Sequence, residues 1–292
     1  MNVLFELGGD LRVRRLGFGA MRITGPGIWG APSDRAGALA TLRRCLDLGI
    51  NLIDTADSYG PHVSEGLIAE ALYPYPAGLV IATKGGFRRP GPGQWTTDGR
   101  PEYLREALDG SLKRLRLERI DLYQLHRVDP AVPPEEQFRF LQQAQAAGKI
   151  RHIGLSEVGV EMIDRARKFF PVVSVQNRYN VAEREWQAVL DYCDREQIAF
   201  IPWHPIRAGA AAGSGLRQYA RRWLGSQARI DRAVAHLAKR HGATSSQIML
   251  AWLLHVSDVM LPIPGTSSVK HLEENMAAES IRLSPEEVAS LK

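Results

Sequence analysis

A carboxylate and a phenol follow each other closely at the end of a short apolar segment. Leu52 and Ile53 have the character of a buried strand, Asp54 follows them directly, and Tyr59 comes in the turn beyond. A buried carboxylate without a partner is costly, so Asp54 needs a donor from elsewhere in the chain. Two interpretations remain open for this stretch alone: a turn capped by Asp54 with Tyr59 as a packing residue, or part of a reactive site.

A lysine and a histidine end two later predicted strands. Lys84 follows residues 79–83, and His126 follows residues 121–125. A buried ammonium requires a carboxylate, so Lys84 pairs with Asp54 if their two strands are neighbours. The alternatives are a lysine that extends to solvent and a histidine that is a satisfied core residue.

Carboxylate, ammonium, imidazole and phenol around one point suit proton donation to a carbonyl oxygen. A phenol has a reference pKa of roughly 10, and Lys84, held by Asp54, would bring Tyr59 toward use as an acid while His126 directs the carbonyl. No serine or cysteine nucleophile motif accompanies the set, which argues against a covalent hydrolytic intermediate. A carbonyl that gains a proton must also gain a hydride, and no side chain supplies one, so a nicotinamide cofactor is implied.

The elements that must position these residues alternate regularly along the chain. Strand-like segments are predicted at 16–21, 51–54, 79–83, 120–126, 150–155, 172–176, 199–203 and 260–264. Helical patterns are predicted near 34–48, 64–72, 101–116, 134–147, 160–168, 183–196, 228–240 and 245–255. This alternation is typical of an α/β fold in which eight parallel strands close into a (β/α)8 TIM barrel. We find no linker, so residues 1–292 are predicted to form a single domain.

Two additions lie outside the eightfold repeat. Residues 3–14 are predicted to form a β-hairpin, and Ser284 before Pro285 opens an extra C-terminal helix. They could close the floor of the barrel or cover one rim. Reactive groups of such barrels gather at the carboxyl ends of the strands, where Asp54, Lys84 and His126 are expected.

The same strand ends offer groups for a cofactor. Gln176 and Asn177 can bind a carboxamide, and Trp203 offers a flat face to a nicotinamide ring. Residues 265–268 precede a predicted helix at 269–276, where free amides could bind phosphate. Ordinary rim packing and a plain helix cap are the alternatives. Residues 17–22 suggest a dinucleotide-binding fingerprint but lack its third glycine and the helix that should follow.

Composition narrows the class of partner. The net charge of +5 is spread over many helices without a nucleic-acid-binding motif, so no nucleic-acid partner is predicted. No apolar run approaches the length of a membrane span, no signal segment is recognisable, and Cys45 and Cys193 lack metal or redox spacing. We therefore expect a soluble, cytoplasmic protein without a membrane partner.

The motifs together resemble the aldo-keto reductase family over essentially the whole chain. The resemblance rests on residues 17–21 (GFGAM), 53–60 (IDTADSYG), 82–84 (ATK), 125–127 (LHR), 153–156 (IGLS), 175–180 (VQNRYN), 263–266 (IPGT) and 274–275 (EN). Residues 57–63, 71–75 and 264–269 are similar to a bacterial branch that acts on pyridoxal. The resemblance implies a monomer that reduces a small-molecule aldehyde or ketone.

The resemblance also implies roles for individual residues. Asp54, Tyr59, Lys84 and His126 would form the catalytic tetrad, with Tyr59 as acid and base. NADPH would bind across the barrel mouth, with NADH as the other cofactor to consider. The implied cofactor residues are Gly19, Ala20, Met21, Ser156, Gln176, Trp203, Pro205, Gly265, Thr266, Ser267, His271, Glu274 and Asn275.

Three positions depart from the pattern of many members. Glu157 replaces an asparagine, His271 replaces an arginine at the 2′-phosphate, and His204 replaces a small residue. Thr266, Ser267, Lys270 or Arg207 would then bind the phosphate.

Two other functions also fit parts of the sequence. One is a nicotinamide sensor that regulates a partner and turns over little, as channel-associated members of the family are thought to do. The other is a metal-dependent barrel hydrolase that uses His126, His152 and His204, but the first strand lacks a paired histidine motif and the eighth lacks an aspartate. No metal site is therefore predicted.

Overall fold

The computed structural model describes residues 2–206 and 220–291, and for 220–227 only the backbone. The strands in chain order are β1 (Leu4–Leu7), β2 (Leu11–Arg14), β3 (Phe18–Gly19), β4 (Leu52–Asp54), β5 (Val80–Gly85), β6 (Phe87–Arg88), β7 (Thr96–Thr97), β8 (Ile120–Leu125), β9 (Ile150–Ser156), β10 (Val172–Gln176) and β11 (Ala199–Phe200). The α-helices are α1 (Arg35–Asp47), α2 (Val63–Leu72), α3 (Pro101–Leu115), α4 (Pro134–Ala146), α5 (Val160–Ala166), α6 (Gln187–Glu196), α7 (Ala220–His241), α8 (Ser245–Val256), α9 (Val269–Met276) and α10 (Pro285–Ser290).

Seven strands form one parallel sheet, in the spatial order β3-β4-β5-β8-β9-β10-β11. Residues 259–264 join its two edges: the Leu261 amide donates to the Phe200 carbonyl at 2.8 Å, and the Gly17 amide donates to the Pro262 carbonyl at 2.9 Å. Pro262 and Pro264 have no amide hydrogen, so this predicted eighth strand is an extended segment with incomplete pairing. The ring of strands confirms the predicted (β/α)8 barrel.

Most predicted elements are present, with shifted ends. The first barrel strand pairs only over Phe18–Gly19, and Ala20–Ile23 turns into a 3₁₀ helix. Helix α6 begins at Gln187 rather than 183, because Asn180 and Glu183 exchange backbone hydrogen bonds in a turn before it. The predicted helix at 228–240 lies within α7.

The predicted N-terminal hairpin, β1 with β2, closes the floor of the barrel. Asp10 in its turn accepts hydrogen bonds from Arg151 at 2.8 Å and lies 2.6 Å from His152 Nε2. A Cβ on Gly8 would lie 2.4 Å from the His152 ring, so this close approach needs glycine. Apolar side chains of the hairpin fill the lower barrel together with strand residues, the set being Leu7, Leu11, Val13, Leu52, Val80, Ala82, Leu122, Ala199, Ile201, Leu261 and Ile263.

The C-terminal helix α10 packs beside the barrel and does not cover its mouth. Ser284 and Glu287 form a reciprocal capping box at its start, as the sequence predicts for a helix opened by Ser284. The Trp252 indole of α8 donates to the Val288 carbonyl at 3.1 Å. Among the described residues, no helix is long and apolar enough to cross a membrane.

Candidate active site

Four predicted residues meet at the carboxyl ends of neighbouring strands. Asp54 ends β4, Lys84 lies in β5, His126 follows β8, and Tyr59 lies in the loop after β4. The Lys84 ammonium donates to Asp54 Oδ1 at 2.6 Å and to the Tyr59 hydroxyl at 3.4 Å. Strands β4 and β5 are paired, so the expected contact between Lys84 and Asp54 is present.

Lys84 is fully buried and is held as a cation. Besides Asp54 and Tyr59 it donates to the Thr55 carbonyl at 2.8 Å. Burial disfavours the ammonium, but the Asp54 carboxylate, with Tyr59, outweighs that effect and raises the pKa of Lys84 above its ordinary value. The positive charge therefore stays beside the phenol.

Asp54 receives two further donors that rigidify it. Gln124 Nε2 donates to Asp54 Oδ2 at 3.1 Å, and Gln176 Nε2 donates to the same oxygen at 2.8 Å. Asp54 is only 2% exposed, so these amides replace the water that a buried carboxylate has lost. Gln124 is not singled out by the sequence, and it stands opposite Lys84 where β5 pairs with β8.

Tyr59 is buried, and its proton is held more firmly than the sequence suggested. Burial raises the pKa of the Tyr59 phenol above its ordinary value, although the charge of Lys84 acts in the opposite direction. The sequence led us to expect that Lys84 lowers this pKa. The charge of Lys84 does lower it, but burial raises it by more. Near neutral pH the phenol is protonated, which is the form that an acid requires.

His126 is buried and uncharged. Burial, together with the nearby charges of Lys84 and Arg127, lowers the pKa of its imidazole well below the usual value. Ser58 Oγ lies 3.3 Å from His126 Nδ1, and a hydrogen bond donated by that hydroxyl would leave the ring proton on Nε2. Its ring meets Tyr59 edge to face, with centroids 5.9 Å apart.

A cavity of about 540 Å³ opens above these residues. Its lining comes from all around the barrel mouth: Gly19, Met21, Arg22, Ile28, Asp54, Tyr59, Phe87, Trp95, His126, Arg127, Ser156, Gln176, Trp203, His204, Pro205, Ile206, Ile263, Pro264 and Gly265. Phe87 and Trp95 come from a short hairpin, β6 with β7, that the sequence analysis did not predict. Seven of the thirteen predicted cofactor residues are in this lining: Gly19, Met21, Ser156, Gln176, Trp203, Pro205 and Gly265.

The carboxamide end of a nicotinamide finds suitable partners in this cavity. With its nitrogen on Asp54, the Gln176 side-chain oxygen Oε1 has no hydrogen bond among the described residues. Ser156 Oγ donates to the Gln176 carbonyl at 2.9 Å and keeps an acceptor position. The Asn177 side chain accepts from the Val158 amide and donates to the Val158 carbonyl, so it is not available to bind the carboxamide.

Glu157 acts on the wall of the cavity. Its Oε1 accepts from the Trp203 indole at 2.6 Å and from the Arg178 amide at 2.7 Å. These bonds fix the ring that the sequence analysis assigned to stacking on the nicotinamide. Glu157, which differs from the asparagine of many family members, therefore supports the Trp203 ring. It makes no hydrogen bond inside the cavity among the described residues.

Close backbone packing shapes the cofactor side of the mouth. A Cβ on Gly19 would lie 2.6 Å from the Ile263 carbonyl oxygen, and one on Gly265 would lie 2.5 Å from the Gly19 carbonyl oxygen. Only glycine allows the first strand and the last segment to approach this closely. Ala20, predicted beside them, lies under the rim, where its carbonyl accepts from Ser64 Oγ at 2.9 Å.

The remaining predicted cofactor residues lie outside the cavity, in the loop before α9 and along that helix. Thr266 Oγ1 accepts from the Ser268 amide at 3.0 Å, and Ser268 caps α9. Ser267 and His271 are exposed here, Glu274 is half-buried and Asn275 is buried. An extended ligand that reaches from Gln176 over Gly265 would end at this helix start, which suits an anion. Arg207, another candidate for the phosphate, is outside the described residues.

The three histidines of the hydrolase alternative do not meet. His152 lies at the barrel floor against Asp10, whereas His126 and His204 line the mouth. In the part of the chain that is described, no group of three or more histidine, cysteine, aspartate or glutamate side chains could hold a metal ion.

Comparisons with known proteins agree with this geometry. The sequence profile described as the Aldo/keto reductase family matches residues 15–292. An uncharacterised oxidoreductase of Schizosaccharomyces pombe is 50% identical over 97% of this chain and 87% of its own length. Pyridoxine 4-dehydrogenase of Escherichia coli is 40% identical over 97% of this chain and 95% of its own length. The structure of an aldo/keto reductase from Klebsiella pneumoniae, in complex with NADP and acetate, superposes with a TM-score of 0.77 at 25% identity, covering 100% of this chain and 94% of that one.

Proposed function

The chain belongs to the aldo-keto reductase family, and we propose that it reduces pyridoxal to pyridoxine with NADPH. The coarser function follows from membership: the protein is an NAD(P)H-dependent oxidoreductase that acts on carbonyl compounds. The contact of a buried, cationic Lys84 with the hydroxyl of a protonated Tyr59 carries the proposal, since it provides an acid beside a cavity.

We assign the proton transfer to Tyr59. The neutral His126 ring donates a hydrogen bond from Nε2 to the substrate carbonyl and so orients it. As negative charge develops on that oxygen, Tyr59 gives up its proton, and Lys84 stabilises the phenolate that remains. Asp54 keeps Lys84 charged and in place. The nicotinamide, when bound, supplies the hydride.

We assign the cofactor to the path from Gln176 to α9. The free Gln176 oxygen and Ser156 would hold the carboxamide, and the Trp203 ring, fixed by Glu157, would support the nicotinamide. The exposed Ser267, Lys270 and His271 would contact the 2′-phosphate, which favours NADPH over NADH. All four proposed catalytic residues come from one chain, so we propose an active monomer.

The test is reduction of pyridoxal, followed as the loss of NADPH absorbance, in the wild type and in Tyr59→Phe. We expect wild-type turnover, and a loss of at least about a hundredfold in kcat for the variant, because phenylalanine cannot donate the proton. Fluorescence titration should give nearly the same NADPH affinity for both proteins.

Four results would count against the proposal. Equal turnover by Tyr59→Phe would remove Tyr59 from its assigned role, and a collapse of NADPH binding in that variant would make Tyr59 structural. Tight NADPH binding by the wild type without turnover of any aldehyde would favour the sensor. Elution of the activity at dimer size in gel filtration would contradict the monomer.

A further inference from the structure

Arg127 is a cation in the wall of the cavity with a role still unassigned. It follows His126 directly, is half-buried, and lines the same cavity. Its Nη1 donates to Ser156 Oγ at 3.0 Å and to the His126 carbonyl at 2.7 Å. These two bonds hold the guanidinium beside the reacting groups and leave Nη2 and Nε without a hydrogen bond among the described residues.

No carboxylate pairs with Arg127 in the described part of the chain. Glu157 attracts it from a distance, but the Glu157 oxygen Oε1 is engaged by Trp203 and the Arg178 amide. Asp54, the carboxylate in the cavity lining, is bound to Lys84. The guanidinium stays charged at any ordinary pH, so the cavity contains a positive charge that has no direct counter-ion among the described residues.

The walls next to Arg127 are flat and aromatic. The Phe87 centroid lies 5.5 Å from the Arg127 guanidinium carbon, 4.7 Å from the His126 ring and 5.4 Å from the Trp95 ring. Arg22 also lines the cavity, but at Gly265 on the cofactor side. Phe87 and His126 are in contact with each other, so a planar ring that packs against this aromatic wall would have one edge near Arg127.

We infer that Arg127 binds an anionic oxygen substituent on an aromatic aldehyde. This inference rests on the proposed function, and it names the substrate class as planar aldehydes that carry a carboxylate or a phenolate. A charge-assisted hydrogen bond from the free guanidinium nitrogens would orient the ring, and charged bonds of this kind are stronger than neutral ones. Pyridoxal fits, because its acidic 3-hydroxyl lies next to the aldehyde.

The test compares acids with neutral compounds of nearly the same shape. The first pairs are 2-, 3- and 4-carboxybenzaldehyde with their methyl esters, and the second pair is pyridoxal with 3-O-methylpyridoxal. The measured quantity is the ratio of kcat/KM for each acid to that for its neutral partner. For at least one pair we expect a ratio of about ten or more in the wild type, since one charge-assisted contact supplies that much.

Three variants locate the effect. Arg127→Met and Arg127→Gln should bring the ratio to about one or below while the neutral partner is still reduced, because each removes the charge. Arg89→Met is the matched control: Arg89 lies 3.7 Å from the Trp95 ring centroid but outside the cavity lining, and it donates to the Ser58 carbonyl. Its ratio should equal that of the wild type.

The outcomes separate this inference from the proposed function. A wild-type ratio near one for every pair, or an unchanged ratio in Arg127→Met, overturns the inference while reduction of neutral aldehydes upholds the function. Failure to reduce any aldehyde removes the proposed function. A preference in the carboxylate pairs alone identifies carboxylates as the ligand class, and a preference in the pyridoxal pair alone identifies phenolates.

Discussion

At Asp54 a single carboxylate collects three donors from three other strands. Lys84 takes one oxygen, and Gln124 and Gln176 share the other. Removing one partner from such a buried network usually costs more than one surface hydrogen bond would, because the groups left behind stay dry. The Gln176 amide nitrogen thereby binds the carboxylate that holds Lys84, and we assign the oxygen of the same amide to the cofactor carboxamide.

The raised pKa of Tyr59 makes the two reaction directions respond differently to pH. Reduction uses the protonated phenol. Because the pKa of Tyr59 lies above its ordinary value, the phenol stays protonated at neutral pH and into the alkaline range, and kcat/KM for aldehydes should not vary with pH in that range. Oxidation uses the phenolate, so kcat/KM for an alcohol with NADP should rise about tenfold per pH unit below that pKa. Rate profiles in both directions measure this, and alcohol oxidation that levels off below neutral pH would contradict it.

The meeting of the proposed catalytic residues could be predicted from their places in the chain. Asp54, Lys84 and His126 each end a predicted strand, and the ends of parallel strands meet at one rim. Gln124 could not be singled out, because a lone polar residue inside a strand also occurs on solvent faces. Its inward direction depends on the pairing of β5 with β8, where Lys84 stands opposite Gln124. Arg127 gave no signal beyond its place after His126.

The hairpin of β6 and β7 brings Phe87 and Trp95 to the barrel mouth, on the side that we propose for the substrate. Arg88 and Arg100 bind Asp98 at its end, and the Arg89 guanidinium stacks on Trp95 while it donates to the Ser58 carbonyl next to Tyr59. The two-residue strands are too short for a periodic pattern, and the glycine- and proline-rich residues between them indicate only a loop. The sequence therefore could not predict this hairpin.

Trp95 should matter to aromatic substrates in particular. In Trp95→Ala we expect kcat/KM for benzaldehyde-type substrates to fall about tenfold, because a large apolar face in contact with the substrate is lost. Propanal is the internal control, since it is too small to reach across the cavity, and its kcat/KM should stay within about twofold. Steady-state assays with both aldehydes measure this, and an equal fall for both would show that Trp95 supports the hairpin and does not contact the substrate.

Across the whole molecule the helices cover the barrel closely enough to shield both cysteines. Burial raises the pKa of Cys45 to about 12 and that of Cys193 to about 12, and both thiols are free. Each lies in a helix on the face turned toward the core, α1 and α6 respectively. The thiolate, which is the reactive form, is therefore scarce in the folded protein.

Thiol labelling should report global unfolding. An aromatic disulfide reagent at mildly alkaline pH should label neither cysteine in the native protein and both in denaturant. The denaturant dependence of labelling should follow the loss of circular dichroism if the barrel unfolds cooperatively. Rapid labelling of one cysteine in the native protein would show that the helix carrying it opens locally.

Closure of the barrel also bears on how the protein is made. The segment at β3 pairs with residues 262 and 264, so the ring cannot close until those residues have left the ribosome. Until then β3 and β11 are unpaired sheet edges. The hairpin of β1 and β2 is likewise made long before His152, which its Asp10 contacts in the folded protein. A growing chain that stalls before residue 259 would expose both edges at once, and exposed strand edges favour edge-to-edge aggregation.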